Sequence, residues 1–309
     1  MSFLDVFIQQ VINGLSIGAM YALLALGFTM VYGILELINF SHFNIFMVGS
    51  FVALLMMQAM GFQGQSLILY GLPLIAILSF VLLATMLITG LLGVLIERVA
   101  LRPLRGVAGT APMITTIGVS YILFSLVFQT QGATAKNYTN PMPPIHWDFG
   151  FVTLRLREVL VWVIAVLLMI GLNFFVNRTK LGQAMQATAQ DQEAARMVGV
   201  DVDRVIVTTF FVGSALAGAA GFIFGLYYNY TSFLIGYTAG LRAFTAAVLG
   251  GIGSIPGAML GGLLIGLIES LGGQYIAVRW TDVMIFSVLV LVLVLKPTGL
   301  LGTAGPTKS

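Results

Sequence analysis

Apolar runs of 18 residues or more recur along the chain, separated by short polar intervals, and none alternates with the period of two expected of a half-buried strand. The runs are rich in Leu, Ala, Met and Gly and are much longer than membrane-barrel strands, so they predict helices. The pattern places segments at about 6–31, 45–60, 66–95, 110–128, 159–176 and 205–228. A turn at 61–65 joins the second to the third. A less regular stretch follows at 241–270 and a final segment at 282–295, giving about eight in all. In the irregular stretch a short helix over 241–250 meets a break containing Gly250, Gly251, Gly253, Pro256 and Gly257, and helical sequence resumes at 259–270. This reads either as one broken span or as two half-helices that enter and leave from one side. The first reading puts Lys296 and Lys308 outside the cell. The second puts them inside, where their charge is favoured.

Composition agrees with lipid as the solvent. The 309 residues are 59% hydrophobic and 8% charged, too few polar groups to cover a soluble helical bundle. The expected fold class is therefore an all-α polytopic membrane protein, with one membrane domain over 1–309 and at least one broken or re-entrant helix. Glycine is abundant, with 36 residues, and suits close helix approach; Gly14 and Gly18, like Gly221 and Gly225, are four apart as on a packing face. The first run lacks a basic leader, Asp5 being the only charge before Glu36, and is expected to remain as a span. The absence of cysteine excludes disulfides and thiolate chemistry, and His42 and His146 are too far apart in sequence for a histidine-rich metal site. A net charge of +3 does not point to nucleic acid.

The few charges set an orientation. Arg98, Arg102 and Arg105 follow the third segment beside Glu97 and Pro103, which places this exit in the cytoplasm and the N-terminus outside. The interval 129–158, with Pro141, Pro143, Pro144 and Trp147, then lies on the outer face, and the insert 178–204 lies in the cytoplasm. That insert carries Arg178, Lys180, Arg196 and Arg204 against Asp191, Glu193, Asp201 and Asp203. Good helix formers from 181 to 197 predict one short amphipathic helix, interrupted in propensity only by Gly182. Gly199 is placed to cap it, and a second helix starts after Asp201. A surface helix of this kind can seat in a groove of a partner protein.

No enzyme constellation is visible, and no G-x-x-x-x-G-K-[ST] loop precedes Lys136, Lys180 or Lys296. Two polar interruptions are candidates for handling a solute. The first is Asn39, Ser41, His42 and Asn44, whose donors and acceptors must face protein, water or cargo, or be satisfied by water at the surface. The second is the break near Arg242, Thr245 and Ser254, where half-helix ends can present free backbone groups. Arg242, Glu269, Arg279 and Asp282 read as interfacial residues that pair or snorkel.

Several stretches resemble one family, the membrane permeases of ABC importers for branched-chain amino acids. They are YALLALGFTMVYGILELINF at 21–40, ERVALRPLR at 97–105, GLRAFTAAVLGGIGSIPGAMLGG at 240–262 and KPTGLLG at 296–302. Glu193, Ala194, Ala195 and Gly199 match the cytoplasmic E-A-A-x-x-x-G motif of ABC import permeases. By that resemblance Glu193 makes polar contacts with an ATPase groove, the alanines allow close seating and Gly199 turns the chain. The family's N-F-A-H-G motif here reads Asn39, Phe40, Ser41, His42, Phe43, so a ring stands where the family has glycine. The resemblance further implies a second homologous permease, two ABC ATPases that bind the ATP and Mg²⁺, and an extracytoplasmic solute-binding protein. Urea, short amides or other amino acids are alternative cargoes of the same permease type. A stand-alone secondary transporter or channel is the alternative of another class.

Overall fold

The computed structural model describes residues 2–62, 68–105, 107, 110–138 and 140–302. Part of the expected 61–65 turn, the first two residues of the expected third segment and Lys308 lie outside the described residues. The rest is mainly helical, in the order α1 (Phe3–Leu35), α2 (Ser41–Ala59), α3 (Gly71–Ile96), α4 (Ala111–Gln131), α5 (Leu156–Arg178), α6 (Lys180–Gln190), α7 (Gln192–Met197), α8 (Val202–Tyr228), α9 (Ile235–Gly250), α10 (Ile255–Gly272) and α11 (Thr281–Leu295). A π turn over Glu97–Leu101 and a 3₁₀ turn over Arg102–Leu104 extend α3. Two small antiparallel ribbons pair β1 (Lys136–Asn137) with β4 (Tyr230–Thr231), and β2 (His146–Asp148) with β3 (Thr153–Arg155).

Seven stretches among the described residues are long and apolar enough to cross a membrane. The sequence suggested about eight, and the difference has two causes. α9, at 16 residues, is short of the roughly 20 a full span needs. α10 and α11 fall within one apolar stretch, Ile255–Leu295, linked by a π turn and a 3₁₀ turn, and the chain reverses direction between them at the extended Ala277.

α1, α2, α8, α9 and α10 form the buried centre, and α3, α4, α5 and α11 turn much of their apolar surface outward. Small residues let the central helices touch backbone to backbone. Gly14 and Gly18 of α1 meet Leu263, Gly266 and Leu267 of α10, whose Gly262 lies against Ala22. Gly213 of α8 faces Gly27 of α1, and Gly218 faces Gly49 of α2. Gly221 packs on α2, whereas Gly225 makes room for the Tyr138 ring rather than for a second helix.

The irregular stretch is a helical hairpin. α9 runs toward the end of the molecule that carries α6 and α7, the chain turns at 251–254, and α10 returns alongside α1 until Ser270 reaches the Gln10 carbonyl at 2.7 Å. Of the two readings, two limbs entering and leaving from one side is the one observed. α11 then brings the C-terminal segment back to the turn: Leu300 N–H donates to the Leu249 carbonyl at 2.9 Å and Leu301 N–H to that of Gly250 at 2.8 Å. Lys296 thus lies at the insert end.

Candidate functional site

The insert folds as two helices, not the single helix expected over 181–197. Its first turn is anchored by Thr179, whose hydroxyl accepts from Gly182 N–H at 3.0 Å and donates to the Phe175 carbonyl at 2.6 Å. Gly182 lies so close to the carbonyls of Phe175 and Val176 that a Cβ would collide with both. α6 ends at Gln190 because Asp191 takes an extended conformation (φ −157°, ψ 113°), and its carboxylate then accepts from the N–H groups of Glu193 (2.8 Å) and Ala194 (3.0 Å). An Asp inside a run of helix formers was the available signal, since Asp is a weak interior residue and a strong cap.

α7 closes in a Schellman turn. Val200 N–H reaches the Ala195 carbonyl and Gly199 N–H the Arg196 carbonyl, both at 3.0 Å, with Gly199 at φ +87°. Asp201 caps α8, accepting from Arg204 N–H at 3.1 Å. Of the motif residues, Ala195 is buried within the chain, whereas Glu193, Ala194 and Gly199 are exposed. Glu193 makes no side-chain hydrogen bond or ion pair among the described residues. Beyond it Met197 and Val198 are 86% and 79% exposed, an apolar tip at the turn. Asp191→Ala is expected to cost ~1 kcal/mol of local stability, as loss of an N-cap does. Hydrogen exchange at the Glu193 and Ala194 amides should rise about fivefold, while exchange in α8 stays unchanged.

Polar links tie the insert to the membrane helices. Gln192 Nε2 donates to the Ile34 carbonyl near the end of α1 at 2.9 Å. Asp203, one residue into α8, accepts from Arg102 (3.0 Å) and Arg105 (2.6 Å), and Arg105 also pairs with the buried Glu97. In the sequence these arginines were legible only as an orientation signal.

The first polar interruption is internal. The chain leaves α1 through Glu36 at φ +52° and doubles back along it, so α2 starts at Ser41, four residues before the expected position. Asn39, Ser41, His42 and Asn44 are all buried. Asn39 Oδ1 accepts from the Ser41 amide (3.1 Å) and hydroxyl (2.6 Å), nucleating α2. Asn44 Nδ2 donates to the Ser120 carbonyl (2.8 Å) and hydroxyl (2.6 Å) of α4. His42 Nε2 lies 3.2 Å from the Leu24 carbonyl, which makes that nitrogen the donor. The Phe43 ring stacks on Phe28 with centroids 5.9 Å apart, and it occupies the space a side chain at Gly240 would need. Asn39 Nδ2 and His42 Nδ1 are buried without a hydrogen-bond partner among the described residues.

The hydroxyls of the second interruption bond within the chain. Thr245 is buried and donates to the Leu241 carbonyl of its own helix at 2.9 Å. Ser254 caps α10, accepting from Gly257 N–H at 3.1 Å, with Pro256 in the first turn. Gly251 and Gly253 take φ +107° and +91°, and Gly250 lies against Gly257 across the turn. The carbonyls of Leu249 and Gly250 at the end of α9 accept from the Leu300 and Leu301 N–H groups. Arg242 pairs rather than snorkels. It donates to Glu269 at 2.5 Å, to the Tyr21 hydroxyl at 3.2 Å and to Asp282 at 3.0 Å, and Tyr21 donates to Glu269 at 2.7 Å. No group of three or more His, Cys, Asp or Glu able to hold a metal occurs among the described residues.

A polytopic helical core with a capped, outward-facing insert suits transport. The family described as "Branched-chain amino acid transport system / permease component" matches residues 10–293. The chain belongs to this family. It is thus a multi-pass membrane permease component. The branched-chain amino acid permease BraD of Pseudomonas aeruginosa is 40% identical over 96% of both chains. LivH of Escherichia coli K12 is 39% identical, again over 96% of both. The permease LivM of the same organism is 29% identical over 48% of this chain and 36% of its own length.

Proposed function

We propose that the chain is a permease subunit of an ATP-driven ABC importer for leucine, isoleucine and valine in the cytoplasmic (inner) membrane of a prokaryote. The observation that carries this reading is the end-to-end similarity to BraD and LivH, both described as high-affinity branched-chain amino acid permeases. The partial likeness to LivM supports a second, homologous permease that forms the other half of the path. Two partner ATPases bind ATP and Mg²⁺, and an extracytoplasmic solute-binding protein delivers cargo. The insert 178–204 is the cytoplasmic coupling element, and the loop 129–158 lies on the extracytoplasmic side.

In this mechanism the exposed Glu193 and the Met197–Val198 tip seat in an ATPase groove, and the buried Ala195 holds α7 to its own core. When ATP closes the ATPases, the insert moves with them. It pulls on α1 through Gln192 and on the end of α3 through Asp203, Arg105 and Glu97, changing which side of the path is open. Hydrolysis resets it. Asn39, Ser41, His42 and Asn44 shape the path by positioning α2, and Ser254 does so by capping α10, while Thr245 bonds within α9.

The test is leucine uptake into proteoliposomes carrying this chain, its permease and ATPase partners and the binding protein. Uptake is expected with ATP and absent when the ATPases or binding protein are omitted. Uptake by this chain alone would establish a stand-alone transporter instead. Glu193→Lys, at an exposed position, is expected to leave insertion and melting temperature unchanged and lower ATP-driven uptake about tenfold, equivalent to ~1.4 kcal/mol of lost coupling contact. Normal uptake by that variant would rule out its coupling role.

A further inference from the structure

The interval between α4 and α5 ends in a hairpin whose two faces differ. Along 145–149 apolar and polar residues alternate: Ile145, His146, Trp147, Asp148, Phe149. The three apolar side chains therefore share one face of the strand and the two polar ones the other. The register carries this division across the hairpin, pairing His146 with Arg155, Asp148 with Thr153 and Trp147 with Leu154. The polar face is bonded within itself: Thr153 Oγ1 donates to the Asp148 carboxylate at 2.6 Å, and His146 lies 3.6 Å from the same group. β3 is the inner strand, where Val152 is buried and Thr153 N–H donates to Gln9 of α1 at 3.0 Å. On the outer strand and the tip, Ile145, Trp147, Phe149 and Phe151 are 39%, 43%, 58% and 51% exposed.

The level of the hairpin is set by α5, which starts at the next residue, Leu156. Its 23 residues span about 34 Å, close to the roughly 30 Å of bilayer hydrocarbon. Val163, Leu167, Ile170 and Phe174 make an exposed stripe at helical spacing. The stripe ends on Arg178, which is exposed and has no hydrogen bond or ion pair among the described residues. An apolar stripe closed by an unpaired arginine fits a helix that faces lipid and snorkels at its end. The two ends of α5 then stand at the two membrane surfaces, and the hairpin stands at the one opposite the insert.

We propose that this hairpin lies flat on the bilayer, with Ile145, Trp147, Phe149 and the Phe151 tip set into the boundary between head groups and acyl chains, and with His146, Asp148, Thr153 and Arg155 turned to water. Tryptophan suits that boundary because it joins a large apolar ring to one N–H donor. The apolar face carries no charge for a protein partner to pair with, and it adjoins a helix whose own exposed stripe faces lipid. The loop 129–158 is thereby held to the membrane along β2. Assignment to the outer leaflet rests on the proposed orientation of the permease, whereas contact with lipid does not.

The chain has no cysteine, so single cysteines can be spin-labelled cleanly at Phe149→Cys, Phe151→Cys and Asp148→Cys. The labelled full chain is placed in nanodiscs of phosphatidylethanolamine and phosphatidylglycerol, and measured again with the partner permease, ATPases and binding protein added. The ratio of collisions with oxygen to those with a water-soluble nickel chelate is expected to be at least about threefold higher at 149 and 151 than at 148, and unchanged by the partners. Equal ratios at the three positions overturn the proposal in favour of a loop in water. Shielding from both reagents, or shielding that appears only with the partner permease or the binding protein, overturns it in favour of a protein-docking face. A second measurement needs no label: Trp162→Phe with Trp280→Phe leaves Trp147 as the sole tryptophan. Lipid brominated near the glycerol end of its acyl chains should lower Trp147 emission at least about twofold, and undiminished emission overturns the proposal. ATP-driven leucine uptake by the complete assembly tests the permease function separately, and either result can fail while the other stands.

Discussion

Gly18→Leu is expected to abolish accumulation of folded protein, and Gly266→Leu to do the same from the other helix. A Cβ at Gly18 stands 2.7 Å from Leu263 Cα, and one at Gly266 meets Gly14 and Gly18 backbone. These neighbours are backbone atoms of two helices already held by further contacts, so no rotamer change makes room. Overpacking commonly costs about 1–3 kcal/mol, and a leucine wedged between rigid backbones belongs above that range. Against a total stability of roughly 5–15 kcal/mol, the loss also opens the α1–α10 seam along its length. Gly118→Leu and Gly171→Leu are the controls, because a Cβ at either position meets nothing within 4 Å. The readout is the monodisperse fraction after detergent extraction, with the melting temperature of Gly18→Ala as a milder version. A Gly18→Leu protein that extracts and melts like Gly118→Leu would refute the backbone contact.

Arg242→Met is the second large effect. The guanidinium lies between α9, α10, α1 and α11 and is the cation for two carboxylates and a phenol. Glu269 is only 16% exposed, so removing its partner leaves an uncompensated charge in a weakly solvated site. Breaking a buried pair from one side costs about 3–5 kcal/mol. Asp282 is 62% exposed, and Asp282→Asn is expected to cost less than ~1 kcal/mol. Unfolding measured in one detergent should therefore rank Arg242→Met far below Asp282→Asn. Adding Glu269→Gln to Arg242→Met should recover part of the loss, because the stranded charge is then gone. A double variant whose destabilisation equals the sum of the singles would mean that Arg242 and Glu269 do not act as a pair.

Much of this architecture was legible from residue pattern. The membrane spans follow from apolar length, the insert from the density of charge between two spans, and the break at 250–257 from glycine and proline within an apolar run. Gly199 was legible as a cap because a Schellman turn requires a residue that adopts φ +87° without a Cβ clash. The G-x-x-x-G at 14–18 announced a close approach, although its partner, Gly262-x-x-x-Gly266, could not be named.

What was missed concerns partners. Asn39, Ser41, His42 and Asn44 had the look of a solvated turn or a solute site, because sequence shows which polar groups exist and not what satisfies them. Their partners come from Leu24 and from Ser120, 76 residues beyond Asn44. Arg242 and Glu269 are brought together with Tyr21 from the opposite end of the chain. Asp191 was passed over as one polar residue among many, although its cap divides the insert in two.

By itself, then, the sequence determined that this is a helical membrane permease component of the branched-chain amino acid transport family, with a charged insert after its fifth apolar segment. These properties rest on local hydropathy, backbone propensity and motif, each readable within a window of a few turns. Only the tertiary structure decided that 241–270 is a hairpin, that Lys296 returns to the insert end, that both polar interruptions are buried and bonded largely within the protein, and that Glu97 and Arg196 line one cavity. Each depends on which helices approach closely enough to exchange hydrogen bonds. In a chain whose central helices meet at glycine backbones, that approach is set by the fit of whole surfaces and not by any one stretch.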